Sequence, residues 1–305
     1  MRVKRAAEGN GITMIAVGLT GWGDHDSLYV PGTPQKDKLK SYAKHFSLVE
    51  MDSSFYGVQP PERMARYAEE TPDGFRFVVK AYQGMTGHLR GKPYYENDDD
   101  MYRAFRESLE PLRDAGKLAA ALFQYPPWFD CTKDNVRVLR EAKRRMAGFP
   151  CALEFRHQSW FEPVLREKTL TFMRGEGWIH SVCDEPQAGP GSVPIVPVPT
   201  DTSFTLVRMH GRNVSGWNRS GGGDADGRWR EIRYLYEYNE EELSEWQERA
   251  MRLLTDCSSV GVIFNNNSGG HAAGNAKQFM RMLGMPVQEA PEPPKQPEQL
   301  DLFGL

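Results

Sequence analysis

The sequence predicts an α/β fold, a TIM-like βα-barrel of eight mostly parallel strands in which the crossover after the sixth strand lacks a regular helix. Three observations carry this reading. Eight short apolar, β-branched-rich runs punctuate the chain, as buried parallel strands do. Helical periodicity fills most of the intervals between them, which makes βαβ units rather than hairpins. The 305 residues hold one barrel of about 250 residues with extensions at both ends.

Residues 1–13 form a polar extension and the barrel occupies 14–284. The opening basic residues and apolar stretch faintly mimic a signal peptide. The stretch is short, Gly-interrupted and without a small-residue cleavage site, so 15–18 reads as the first strand. Helical spacing over 36–46 places Leu39, Tyr42, Ala43 and Phe46 on one face. A strand at 48–49 precedes a helix at 61–70, opened by a proline suited to a first turn. Strands at 77–79, 120–123, 152–153 and 178–182 alternate with amphipathic helices at 98–116, 132–147 and 161–175. The following segment, EPQAGPGSVPIVPVPTDTSF, is too rich in Pro and Gly for a helix. A strand at 205–207, a flexible loop around Gly221–Gly223 with Asp224 and Asp226, a helix at 240–255, a strand at 260–264 and a helix at 272–283 complete the barrel.

A net charge of −3 and a pI near 6.2 give no overall basic footprint for nucleic acid, although a local basic patch stays open. No run approaches the ~18 apolar residues of a membrane span. Cys131, Cys151, Cys183 and Cys257 lie far apart with no C-x-x-C, which excludes a disulfide framework and a structural zinc site and suits a reducing cytoplasm.

In a βα-barrel the strands' C-terminal ends converge on one mouth, where chemistry sits. Those ends carry Thr20 and Trp22, Glu50 and Asp52, Lys80, Gln124, Glu154 with Arg156 and His157, Asp184, Arg208 with His210, and Asn265, Asn266 and Asn267. Period-two alternation sets Glu50 with Asp52, Glu154 with Arg156, and Arg208 with His210 on shared faces. Asp52, Glu154 and Asp184 are the acid–base candidates, with His157 and His210 as proton relays. Lys80, Arg156 and Arg208 suit an anion. Glu50, Gln124, Asn265 and Asn266 add polar contacts, and Trp22, Tyr56, Trp128 and Trp160 could wall the pocket. The structural alternative is a Glu154–Arg156–Arg208 ion-pair network that only closes the barrel. Glu154, His157, Asp184 and His210 include metal-ligand types, but no H-x-x-H or H-E-x-x-H pair occurs. No metal is assigned and no cofactor is specified. Gly269–Gly270 before a helix reads as a plain turn.

The segments GLTGWGD (18–24), VEMDSSFYGV (49–58), TPDGFRFVVKA (71–81), LFQYPPWF (122–129), ALEFRHQSW (152–160), VRMHGR (207–212) and VIFNNNSGGHAAGNA (262–276) resemble, in order, the domain-of-unknown-function-72 or YecE-like family. The resemblance spans roughly 14–284 and implies a TIM-barrel-like fold without implying a reaction. It carries recurrent polar positions onto Glu50, Lys80, Gln124, Glu154, Arg156, His157, Asp184, Arg208, His210, Asn265 and Asn266. Asp52 stands where the family usually has Asn, adding a negative charge. The family's Thr-His pair appears as Thr86-Gly87-His88.

Residues 285–305 are Pro- and Glu-rich and read as a disordered tail. The tail ends in Gln299-Leu300-Asp301-Leu302-Phe303, which resembles the pentapeptide by which bacterial polymerases and repair proteins bind the sliding clamp. Leu302 and Phe303 would fill an apolar pocket while Gln299 anchors the backbone. The combined expectation is a cytoplasmic barrel that processes a phosphate-containing or nucleic-acid substrate and is tethered to the clamp. If it is an enzyme, the chemistry is hydrolase-like. The alternatives are a metabolic enzyme on a small anionic metabolite with an irrelevant tail, and a non-catalytic clamp-binding module.

Overall fold

The computed structural model describes residues 15–189, 191–217 and 232–289. Eight strands, β1 (Ile15–Thr20), β2 (Leu48–Met51), β3 (Arg76–Lys80), β4 (Leu118–Gln124), β5 (Cys151–Glu154), β6 (Ile179–Asp184), β7 (Phe204–Met209) and β8 (Ser259–Phe264), close into a barrel in sequence order. Every neighbouring pair is parallel, including β1 with β8. Closure leaves no edge strand to expose unpaired backbone.

The strand pleat divides each run between two cores. Outward residues such as Val17, Val49, Phe77, Val79, Phe123 and Val207 join a large cluster with the helices. Inward residues Leu48, Val78, Ala120, Leu122, Ala152, Ile179, Leu206 and Ile263 form a separate, small cluster inside the barrel. This inner cluster is the floor on which the polar mouth rests. Two residues further along β2, β3, β4, β5 and β7, the inward positions are Glu50, Lys80, Gln124, Glu154 and Arg208.

The helices that lie wholly within the described residues are α1 (Lys38–Tyr42), α2 (Ser53–Tyr56), α3 (Pro61–Glu69), α4 (Asp98–Asp114), α5 (Lys133–Arg145), α6 (Arg166–Glu176), α7 (Val214–Trp217), α8 (Glu240–Leu253) and α9 (His271–Met282). Local sequence sets their starts. Asn97 accepts from the Asp100 N–H at 2.9 Å, and Asn239 with Glu242 forms a reciprocal capping box on α8. Among the described residues no helix lies between Asp184 and Phe204, as the Pro-rich composition predicts.

Several boundaries differ from the sequence expectation. The helix expected from residue 161 begins at Arg166, because Gln158–Phe161 is a 3-10 turn and Pro163 holds Glu162 extended. The helix expected over 36–46 is reduced to Lys38–Tyr42, with Gln35–Asp37 a 3-10 turn. The short helices α2 and α7 are absent from the expected elements, since four residues carry no periodicity. Residues 285–289 rest on the barrel: Met285 and Val287 pack on the outer core, and a His45 ring nitrogen lies 3.1 Å from the Gln288 carbonyl. The 1–13 extension, the Gly221–Gly223 loop and the pentapeptide 299–303 lie outside the described residues. No described helix is long and apolar enough to cross a membrane.

The backbones of β1 and β2 approach closely at Gly18. A Cβ on Gly18 would stand 2.0 Å from the Leu48 carbonyl oxygen, which is backbone and cannot swing aside. Gly18→Ala should therefore destabilise the barrel by about 3 kcal/mol in urea unfolding. A loss below about 1 kcal/mol would show that the two strands can part without cost.

Candidate functional site

The mouth is built around two buried arginines. Arg208, from β7, directs Nε at Glu50 Oε2 (2.7 Å) and also donates Nη2 to Glu50 Oε1, a bidentate pair across the barrel to β2. Its Nη1 reaches both Glu154 oxygens, at 2.8 and 2.7 Å, and Gln124 Oε1 at 3.3 Å. Arg156 lies one step further out. Its Nε donates to Glu154 Oε1 (2.7 Å), its Nη1 to Glu185 Oε2 (2.6 Å), and its Nη2 faces His210 Nε2 at 2.9 Å. Ser181 Oγ donates to Glu154 Oε2 at 3.0 Å, and Glu185 Oε1 accepts from the Val193 N–H at 2.6 Å. Glu50, Glu154, Glu185, Arg156, Arg208 and His210 are all buried.

These contacts fix the protonation states. An arginine can only donate, so His210 Nε2 is the acceptor and its proton sits on Nδ1. Asn265 Nδ2 lies 2.9 Å from Nδ1, and a proton on Nδ1 calls for the flipped carboxamide, which turns Oδ1 to accept it. Burial, then Arg156 and Arg208, push His210 well below its ordinary value, so the ring is neutral. Burial opposes ionisation of Glu154, yet Arg156 and Arg208 hold it at about 2. For Glu50 and Glu185 burial outweighs the guanidinium partner, and both rise to about 7.

A second, more accessible pair lies at the rim. Lys80 Nζ is 3.3 Å from Asp52 Oδ1, with their side chains 14% and 37% exposed, and 4.9 Å from the Phe55 ring centroid. Burial would raise Asp52, but Lys80 and Arg208 hold it below its ordinary value, so it is a carboxylate. His88 lies nearby, its Nδ1 2.9 Å from Thr86 Oγ1 and its ring against Phe55 and Trp128. Burial, Lys80 and Arg156 lower it to about 4. The Thr86-Gly87-His88 segment thus delivers a neutral imidazole to the rim.

The structure brings together Glu50, Asp52, Lys80, Gln124, Glu154, Arg156, Arg208, His210 and Asn265. Asp184 does not join them. It points out of the barrel, accepting from Trp246 Nε1 on α8 at 2.5 Å and from Arg212 Nε at 3.0 Å. The inward positions on β6 are Ile179, Ser181 and Cys183, so the acid that reaches the mouth is Glu185. The strand's own alternation contained that signal. Asn266 also turns away, holding the Tyr236 carbonyl and Asn275, while Asn267 donates to the Thr20 carbonyl at 3.2 Å. His157 is engaged by Ser159 at the start of a 3-10 turn. Trp22 packs edge-on against Tyr67, and Trp160 is buried, bonded to the Phe129 carbonyl. Tyr56 and Trp128 are exposed at 62% and 57% and remain the aromatic candidates for the rim.

Glu154, Cys183 and His210 offer ligand atoms within 4.8 Å of one another. The donor set fits a cation poorly. Both Glu154 oxygens and His210 Nε2 already accept from arginines, and two guanidinium charges adjoin the position.

The buried acids make opposite contributions to stability with pH. Glu154 is held low, so its contribution is present above its ordinary value near 4.5 and lost as pH falls toward 2. Glu185 is held high, so its contribution is complete below about 4.5 and lost as pH rises through 7. Between about pH 5 and 8 the melting temperature of Glu185→Gln should therefore gain on that of the wild type, which alone loses the Glu185 contribution there. An unchanged slope in the variant would place the titration elsewhere.

Relatives share this architecture over most of the chain. The family model described as protein of unknown function DUF72 matches residues 16–300. UPF0759 protein YunF of Bacillus subtilis is 53% identical over 290 residues, covering 95% of this chain and 100% of that protein. A crystal structure of a DUF72 family protein from Enterococcus faecalis superposes with a TM-score of 0.82 at 38% identity, covering 94% of this chain and 100% of the other. One from Thermotoga maritima gives 0.74 at 30% identity, covering 89% and 99%. Carrying the family's sequence across nearly its full length and sharing its fold, the chain belongs to the DUF72 family, the YecE-like UPF0759 proteins.

Proposed function

We propose that the barrel mouth is the active site of a cytoplasmic enzyme that processes a phosphate-bearing substrate, a nucleotide or a nucleic-acid end, by hydrolysis. One observation carries the reading: the charge balance of the mouth. Lys80, Arg156, Arg208 and Arg233 adjoin Asp52, Glu50, Glu154 and Glu185. Burial raises Glu50 and Glu185 to about 7, so near neutral pH both are partly protonated and positive charge is in excess. The N–H groups of Arg156 and Arg208 are engaged by carboxylates and His210. These arginines set the potential instead of gripping the ligand, and Lys80 is the accessible contact. Asp52 is the available general base for a water nucleophile, Lys80 counters the developing oxyanion, and Gln124 and Asn265 orient the substrate.

A small anionic metabolite is the second reading, favoured by Trp217. It is 6% exposed, lies 6.5 Å from the His210 ring and donates to the Gly191 carbonyl at 3.4 Å, covering part of the mouth. The terminal Gln299–Phe303 segment, as a tether to a bacterial sliding clamp, belongs to the same proposal. Leu302→Ala with Phe303→Ala should abolish binding to purified clamp and leave the melting temperature unchanged. No interaction of the full chain with clamp at tens of micromolar removes the tether.

Calorimetric titration with inorganic phosphate, AMP and a short single-stranded oligonucleotide tests the site. Binding should weaken about tenfold in Lys80→Ala. It should also take up protons near pH 7, because a bound anion raises Glu50 and Glu185 further. Preference for AMP over the oligonucleotide supports the metabolite reading. Absence of binding by the wild type, or equal binding by Lys80→Ala, overturns the anionic-substrate proposal.

A further inference from the structure

Arg233 belongs to no strand. It lies between α7 and α8, away from every strand end. Its backbone is nonetheless fixed to the barrel. Asn213 Nδ2 donates to the carbonyls of Ile232 (3.0 Å) and Leu235 (3.2 Å). Gly216 packs so closely that a Cβ there would stand 2.5 Å from the Ile232 carbonyl oxygen. The guanidinium lies 3.8 Å from the centroid of the Trp217 ring. The same indole is 5.7 Å from the Arg156 guanidinium, and Trp217 and Tyr234 both neighbour the His210 ring. Arg233 therefore stands over the outer tier of the mouth, on a rigid aromatic support.

Among the described residues its charge is poorly matched. Lys80, Arg156 and Arg208 each have a carboxylate within salt-bridge distance. Among the described residues Arg233 has none, and its Nε is buried with no hydrogen-bond partner. The nearby acid, Glu185, already bonds Arg156 and the Val193 N–H. Burial, together with repulsion from Arg156, holds the Arg233 guanidinium below its ordinary value despite attraction to Tyr234 and Glu185. A cation placed at such a cost is stabilised by an incoming anion. Stacking engages the π face of a guanidinium and leaves its in-plane N–H edge for two oxygens of a phosphate.

We infer that Arg233, held by Trp217, is the residue that grips the substrate's phosphate group, an assignment that rests on the anionic-substrate reading above. Lys80 then faces the same anion from the opposite side of the mouth, and the inner arginines stay committed to the network.

The test measures inorganic phosphate and AMP affinity for the wild type, Arg233→Gln, Arg233→Lys and Lys80→Ala, with the melting temperature of each. Arg233→Gln should weaken both ligands at least about tenfold at unchanged melting temperature. Arg233→Lys, which keeps the charge and loses the fork, should recover only part of that. Tryptophan fluorescence should respond to phosphate in the wild type, and the response should vanish in Trp217→Phe. If the wild type binds neither ligand, the anionic-substrate reading itself falls. If the wild type binds and Lys80→Ala is weakened while Arg233→Gln binds like wild type, only the Arg233 assignment is overturned. A lowered melting temperature in Arg233→Gln with unaltered affinity would likewise make the residue structural.

Discussion

The pairing of Arg208 with Glu50 and Glu154 is the contact on which the rest of the mouth depends. One guanidinium from β7 spans the barrel to β2 and β5, and all three side chains are buried. Taking these ions out of water costs several kcal/mol each, and only saturated geometry offsets it. Here Nε and both terminal nitrogens are engaged, as are both oxygens of each carboxylate. Removing the arginine alone would leave two buried carboxylates facing each other over an apolar floor. The contact thus does two jobs: it ties three strands together, and it supplies the anionic platform that orients Arg156.

From that platform the chemistry divides by depth. The inner tier is rigid and self-satisfied. Glu154 is held ionised and His210 neutral by the same arginines, and both Glu154 oxygens and His210 Nε2 are already occupied by guanidinium donors, which leaves neither a free acceptor for a substrate proton. The outer tier contains the groups that solvent can reach, Lys80 and Asp52, with His88 and Asn265 beside them. The inner residues form the closing ion-pair network, and the rim pair is the more exposed of the two.

The loops finish what the strands begin. The Pro-rich crossover after β6 lacks the helix that would normally lie outside the barrel. It places the Val193 N–H on Glu185 and the Gly191 carbonyl on Trp217. The α7 turn then presents Trp217 beside Arg156 and His210. Irregular backbone is tolerated because its polar groups find partners in the mouth.

The sequence alone determined the barrel, its strand order and most of the inward polar set, because a period-two pleat converts position along a strand into direction. Glu50, Lys80, Gln124, Glu154, Arg156, Arg208 and His210 were legible for that reason. Where the strand's end was misjudged by one residue, the reading reversed: Asp184 faces α8, and Glu185 faces the mouth. Asn266 fails in the same way, one step beyond inward Asn265. Tertiary structure decided what no periodicity encodes. Which carboxylate an arginine satisfies depends on side chains distant in sequence, such as Glu50 and Arg208. Protonation follows the balance of burial against neighbouring guanidinium groups: Glu154, held by both Arg156 and Arg208, stays near 2, whereas Glu185, paired chiefly with Arg156, rises to about 7 although both are buried glutamates. The positions of Trp217 and Arg233 came from the packing of short segments between β7 and α8, too brief for a repeat to be read. Local pattern fixes the direction of a side chain on a regular strand, whereas charge state and partner are properties of the assembled, low-dielectric interior.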